Sequence, residues 1–504
     1  MLYKSTRNSQ LRLEASQVIA QGISDEGGLF VPESFPDLSK ELSEFVKLDY
    51  PSLAKAIFGK FLTDFTQEEI AACVDKAYTP AKFGDDCPVK LVPLTMEGEA
   101  KFLLELWHGP TCAFKDMALQ ILPQFLTTAL KKAGAGKEAV ILTATSGDTG
   151  KAALEGFKDV EGTRILVFYP RDGVSPMQKR QMATQEGENV SVCAIEGNFD
   201  DAQSSVKKIF TDPQVKTELA KHNLMFSSAN SINWGRLLPQ IVYYVYAYLE
   251  LVRSEKVNLG DPMDVVVPTG NFGNILAAYY ARKMGLPVRR FVCASNANKV
   301  LTDFIRTGTY DRRREFHATA SPSMDILISS NLERLLYDLA GEDSAQLACW
   351  MQDLAETGVY SVGEAVKEKV QELFYGGFCG DGSTFETIRE LWDSEHYLCD
   401  THTAVAVDVY RQYLRDVGVA PVPAVIASTA NPYKFSGSVL EALQADELRE
   451  DDFENLRQLE KLTGVEAPVQ LRSLQEKPVR FSQVIPKEGA APYVLDTLGI
   501  GGQR

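Results

Sequence analysis

The chain has 504 residues, 45% hydrophobic and 24% charged, an ordinary balance for a globular protein with length for two or three domains. Lys and Arg number 52 against 68 Asp and Glu, and the formal net charge of -16 argues against nucleic acid or an anionic membrane as partner. An anionic ligand would have to be caught by a local site rather than by the overall field.

The best apolar run, IVYYVYAYLELV, is interrupted by Glu250 and is too short to span a bilayer. Lys4 and Arg7 are not followed by an apolar stretch, so no secretory signal is read. The eight cysteines are scattered without a CxxC pair and read as reduced thiols of a cytoplasmic protein.

The first hundred residues read as an accessory, mainly helical region. HGPTCAFKD follows, with Lys115 just ahead of the helical run MALQILPQFLTTALKK. Lys115 reads either as a surface lysine near a helix start or as a Schiff-base lysine. A free lysine amine has a pKa of about 10.4, so only a small fraction is neutral at pH 7. Burial or a neighbouring positive charge would lower that pKa and make the amine a nucleophile and a base.

EAVILTAT then predicts a strand, SGDTG a loop and KAALEGF a short helix. TRILVFYP and NVSVCAIEG are further strands, and a polar helical stretch covers 206–219. A long helix is expected from Ile232 to about Val252, with Ser231 or Asn230 as N-cap. DVVVP is a strand that breaks at Pro268 into PTGNFGN, and a helix ending near Gly285 follows. VRRFVCAS and PAVIAS are strands; 333–420 is mostly helical; 447–462 is a charged helical stretch. This alternation predicts parallel sheets covered by helices.

The strand, glycine loop and helix start at 265–274 have the geometry that holds a phosphate, through loop N–H groups and the first helical turn. The spacing is neither a Walker loop nor a dinucleotide fingerprint, and by itself it also fits an ordinary turn. A Schiff-base lysine combined with a phosphate loop points to pyridoxal 5'-phosphate. In an open α/β sheet, Lys115, Thr145–Gly150 and Thr429 would gather with that loop outside the carboxyl ends of the strands.

HGPTCAFKD, TSGDTG, NSINWGRLLPQ, PTGNFGN and STANPYKF resemble threonine synthase in order and spacing. STRN…QVIAQGISDEGGLFVPE and SPSMDILISSNLERL add to the likeness, which runs over roughly residues 3 to 435 and matches the longer microbial and fungal-type branch. The resemblance implies a tryptophan-synthase-β-like α/β fold, that of fold type II pyridoxal-phosphate enzymes. It would comprise an N-terminal region (1–100), a large cofactor domain (101–138 and 231–504) and a small mobile substrate domain (139–230). It also implies that Lys115 carries the Schiff base and that Gly270, Asn271, Phe272, Gly273 and Asn274 wrap the cofactor phosphate. Thr429 would place a neutral donor against the pyridine nitrogen. Ser146, Gly147, Asp148 and Thr149 would grip the substrate. Related β-replacement enzymes carry Asn where this chain has Asp148, which leaves its role open. Lys179, Arg180 and Arg236 are candidates to clamp the substrate phosphate, and Arg236 stands out in its apolar helix.

The implied reaction converts O-phospho-L-homoserine and water to L-threonine and phosphate, the last step of threonine biosynthesis, with that small molecule as partner and neither nucleic acid nor membrane. The rival readings are a serine or threonine dehydratase-like lyase and a non-catalytic paralogue that binds without turnover. His396, Cys399, Asp400 and His402 in HYLCDTH invite a zinc reading, but no second cluster completes four ligands and no metal is expected. Asn431 departs from the usual His after Thr-Ala.

Overall fold

The computed structural model describes residues 1–95, 100–133, 136–145, 147–171, 174–197, 199–418, 420–444 and 448–500. Its largest sheet has six strands in the order Phe374–Phe378, Val288–Ser295, Met263–Pro268, Ala424–Ser428, Lys101–Glu105 and Lys90–Leu94. All neighbours are parallel except the edge strand Lys90–Leu94. Met263–Pro268, Lys101–Glu105 and Ala424–Ser428 are buried along their whole lengths. This is why VVVP and AVIAS read as continuous apolar runs and not as alternating ones.

A second sheet of five parallel strands runs Val484–Ile485, Val190–Ile195, Thr163–Pro170, Glu138–Ala144 and Leu224–Ser227. Near the N-terminus, Tyr3–Ser5 pairs antiparallel with Asn8–Leu13 and Phe30–Pro32. The helix Trp234–Arg253 is buried on nearly every face, from Trp234 to Leu251. Its all-round apolar character suits a core position between layers.

Several expectations need correction. The last strand of the smaller sheet, Val484–Ile485, comes from the far C-terminus, which sequence reasoning had assigned to the large domain. A two-residue strand carries too little periodicity to be recognised. The strand Lys90–Leu94 belongs to the larger sheet although it lies inside the first hundred residues, and that region carries strands as well as helices. The stretch 206–219 is two helices, Phe199–Thr211 and Pro213–Lys221, broken where Asp212 caps the second. The long helix is capped by Asn233, not by Ser231 or Asn230. Asn233 accepts a hydrogen bond from the Gly235 N–H and donates to the carbonyls of Ile19 and Ser228, fixing the turn from both sides.

Candidate active site

The carboxyl ends of Met263–Pro268 and Ala424–Ser428 open into a cleft that also receives the loop after Lys101–Glu105. Lys115, Asp148, Thr149, Arg236, the whole of Gly270–Asn274 and Thr429 line it together, although more than 300 residues separate the ends of that set. The strand Ala424–Ser428 is held between the other two, so the three loops meet at one place. Phe114 donates its N–H to the Thr429 carbonyl (2.8 Å), which ties the lysine loop to the threonine loop.

The loop 270–274 is built to leave donors free. Phe272 adopts a left-handed conformation (φ 63°) and caps the helix Gly273–Lys283. The first N–H groups of that helix therefore point out of the loop without intrahelical acceptors. Asn331 donates its backbone N–H and its side-chain amide to the Asn271 carbonyl (3.1 Å each), and Ser329 donates to the Gly270 carbonyl (2.7 Å). The loop's carbonyls are thus turned outward and held there. A Cβ on Gly270 would stand 3.1 Å from the Ser323 carbonyl oxygen, so the chain closes tightly over this glycine.

Among the described residues, two buried donors on the cleft wall have no partner: Asn274 Nδ2 and Arg236 Nε. The Arg236 side chain donates from Nη1 to the Ala229 carbonyl (2.9 Å). Burial pulls its guanidinium down to about 10. Such orphaned donors beside a helix N-terminus fit a phosphate-bearing group, and with Lys115 alongside they fit pyridoxal phosphate.

Lys115 sits at the N-terminus of Asp116–Leu119 and is largely buried. Burial lowers its ammonium pKa; Asp148 opposes this, and Lys434 and Arg236 reinforce it. Asp148 begins the helix Asp148–Phe157 from the smaller sheet. Its Oδ1 pairs with Lys434 Nζ (2.6 Å) and accepts from Gln178 Nε2 (3.0 Å). Its Oδ2 accepts from Ser323 Oγ (3.2 Å) and lies 3.6 Å from Lys115 Nζ. Burial alone would raise this carboxyl, but the two ammonium groups hold it well below the usual range. Asp116, whose carboxylate accepts from the Thr111 N–H and hydroxyl, is pushed up to about 6 by burial.

Gly147 does not line the cleft; with φ 148° it caps the helix that begins at Asp148, and a Cβ there would lie 2.4 Å from the Gln178 amide. Ser146 lies outside the described residues. Two of the three proposed phosphate clamps do not reach the cleft. Lys179 is exposed, and Arg180 donates to the carbonyls of Leu474, Gln475 and Lys477, fastening its helix to the C-terminal segment.

The HYLCDTH residues have other work. His396 ends the helix Asp381–Glu395, and Cys399 is a buried thiol. Asp400 caps Thr401–Val417 and accepts from His402 Nδ1 (2.8 Å). His402 Nε2 then accepts the Ser323 N–H (3.2 Å), so the imidazole holds the loop that carries Ser323 over Asp148. Among the described residues no group of three or more His, Cys, Asp or Glu is placed to hold a metal, and all eight cysteines are unpaired. Sequence reasoning missed Ser323 and Lys434. The available signal for Lys434 was a lysine in the aromatic context PYKF, just after a buried strand.

Comparison with known proteins agrees with this geometry. Family models match at residues 2–78 (threonine synthase N terminus), 91–367 (pyridoxal-phosphate dependent enzyme) and 403–490 (threonine synthase, C-terminal). Threonine synthase-like 1 of Homo sapiens is 39% identical over 447 residues, 86% of this chain. The chain spans 58% of that relative's length. Threonine synthase of Pseudomonas aeruginosa is 39% identical over 443 residues, covering 88% of this chain and 90% of its own. The crystal structure of pyridoxal-phosphate-bound threonine synthase from Brucella melitensis superposes with a TM-score of 0.86 at 33% identity, covering both chains completely. The architecture is accordingly that of a fold type II pyridoxal-phosphate enzyme.

Proposed function

This chain belongs to the threonine synthase family of pyridoxal-phosphate-dependent enzymes, and from that membership we propose that it converts O-phospho-L-homoserine and water to L-threonine and phosphate. The observation that carries the proposal is the convergence of a desolvated Lys115, a cradle of unpartnered donors at 270–274 and a buried Arg236 on one cleft.

Pyridoxal phosphate, when bound, supplies an aldehyde for amines and a conjugated ring that accepts the electrons left behind as protons depart. Gly270, Asn271, Phe272, Gly273 and Asn274 hold its phosphate through N–H groups, each contributing about 1.5–3 kcal/mol if charge-assisted. Thr429 presents a hydroxyl to the ring nitrogen, a neutral partner that tempers the ring's pull on electrons. Lys115 Nζ, with its pKa lowered, takes the protons that leave the substrate's Cα and then Cβ as phosphate departs from Cγ, and returns protons to Cγ and finally to Cα. Asp148 and Thr149 face the substrate from the smaller sheet, and Arg236 holds the leaving phosphate. Water adds at Cβ after phosphate departs. The bonds from Ser323 and Lys434 to Asp148 join loops of the two sheets across the cleft and narrow it against bulk water. The family and the architecture accord with this reading; the individual roles are the proposal.

Purified protein given O-phosphohomoserine, and separately serine and threonine, tests it. Threonine with equimolar phosphate is expected. A keto acid with ammonia would indicate a dehydratase, and binding without turnover a non-catalytic paralogue.

A further inference from the structure

Lys434 is unexposed along its whole side chain, and no solvent reaches its ammonium. It has two partners, the Asp148 carboxylate (2.6 Å) and the Thr111 carbonyl (2.9 Å). A lysine is rarely buried this completely unless it is paired, because desolvating its charge is expensive. The pairing is equally demanding for Asp148, which stands 3.6 Å from Lys115. An unneutralised carboxylate at that distance would stabilise the ammonium form of Lys115 and raise its pKa by one to three units. The amine would then be silenced at neutral pH. With Lys434 on the other oxygen, the Asp148 charge is already spoken for.

We propose that Lys434 is a positioning residue that neutralises Asp148, so that the Lys115 amine stays free to condense with the cofactor aldehyde. The charged groups facing Lys115 are Asp148, Lys434 and Arg236. Asp116 and Cys112 also face Lys434 from the lysine loop: burial keeps the thiol neutral, pushed up to about 12, whereas the Asp116 carboxyl, raised to about 6, is ionised at neutral and alkaline pH but is bonded to the Thr111 N–H and hydroxyl. Asp148 is the carboxylate that Lys434 contacts directly. Condensation joins the Lys115 nitrogen to the aldehyde carbon and releases water, and only the unprotonated amine can begin it.

The inference rests on the reading that Lys115 takes the cofactor, and one experiment separates the two. Pyridoxal phosphate is added to cofactor-free protein across neutral and alkaline pH, and the growth of visible absorbance is timed. For K434M the midpoint of the rate profile is expected to move up by a pH unit or more, making attachment about tenfold slower at neutral pH. D148N should move it down, since it leaves two ammonium groups facing each other. K434M/D148N should return it close to the parent value, a rescue that a merely structural lysine would not give. If K434M does not fold, the downward shift of D148N and the parent-like midpoint of the double variant still decide the matter. Absorbance that grows with the same midpoint in every variant overturns the role of Lys434 alone. Absence of any covalent absorbance in the parent overturns the reading of Lys115 itself.

Discussion

Arg236→Met separates binding from folding, because the two effects should have opposite signs. The guanidinium is buried, one nitrogen bonds the Ala229 carbonyl, and Nε has no partner. Burial lowers its pKa from 12.5 to about 10, which corresponds to about 3 kcal/mol of lost preference for the charged state. In the absence of an anion that charge opposes folding. Methionine fills similar space without it, but leaves the Ala229 carbonyl unpaired at about 1–3 kcal/mol. The cofactor-free variant should therefore be as stable as the parent or up to about 2 kcal/mol more stable in urea unfolding. With cofactor bound and O-phosphohomoserine as substrate, losing one or two charge-assisted bonds should lower kcat/KM on the order of a hundredfold or more. Arg236→Lys should restore little of this, since a point charge does not reproduce the guanidinium fork. Cofactor-free destabilisation beyond about 3 kcal/mol with kcat/KM intact would refute the reasoning. Unchanged substrate kinetics with weakened cofactor binding would move the guanidinium to the cofactor's phosphate.

Gly147→Ala forces a Cβ to within 2.4 Å of the Gln178 amide at a backbone φ of 148°, so it should destabilise by about 1–3 kcal/mol in urea and lower kcat by displacing Asp148. Asp116 gives a pH signature. Its carboxyl is raised to about 6 in the folded chain, so its contribution to stability is complete below the unfolded value of about 3.9 and is lost as pH rises through 6. Relative to Asp116→Asn, the parent should lose about 1 kcal/mol between pH 5 and 7, measured by urea unfolding at both; a constant difference would contradict the assignment. Asn431→Ala removes the acceptor for the Tyr433 N–H at the turn that carries Lys434, and should lower the urea midpoint by an amount equivalent to about 1 kcal/mol.

The parallel strands around the cleft were legible because burial on both faces writes itself as an apolar run: VVVP, AVIAS and EAVIL each became a strand ending at the site. The glycine loop and Lys115 were legible because backbone donors and an amine in an apolar setting are local features. What escaped was relational. The aromatic setting of Lys434 in PYKF does not say which charge it meets, and Ser323 has ordinary neighbours; the importance of both exists only where they meet Asp148 from two different loops. Arg180 misled for the converse reason: a basic residue in a short polar helix looks free until the C-terminal carbonyls that it binds are seen.

Borohydride reduction of the cofactor-bound protein, followed by peptide mass mapping, tests the central claim most directly. A single pyridoxyl-phosphate adduct on Lys115, abolished in Lys115→Ala, is the predicted result. An adduct on Lys434 or Lys151, or none at all, would contradict the account.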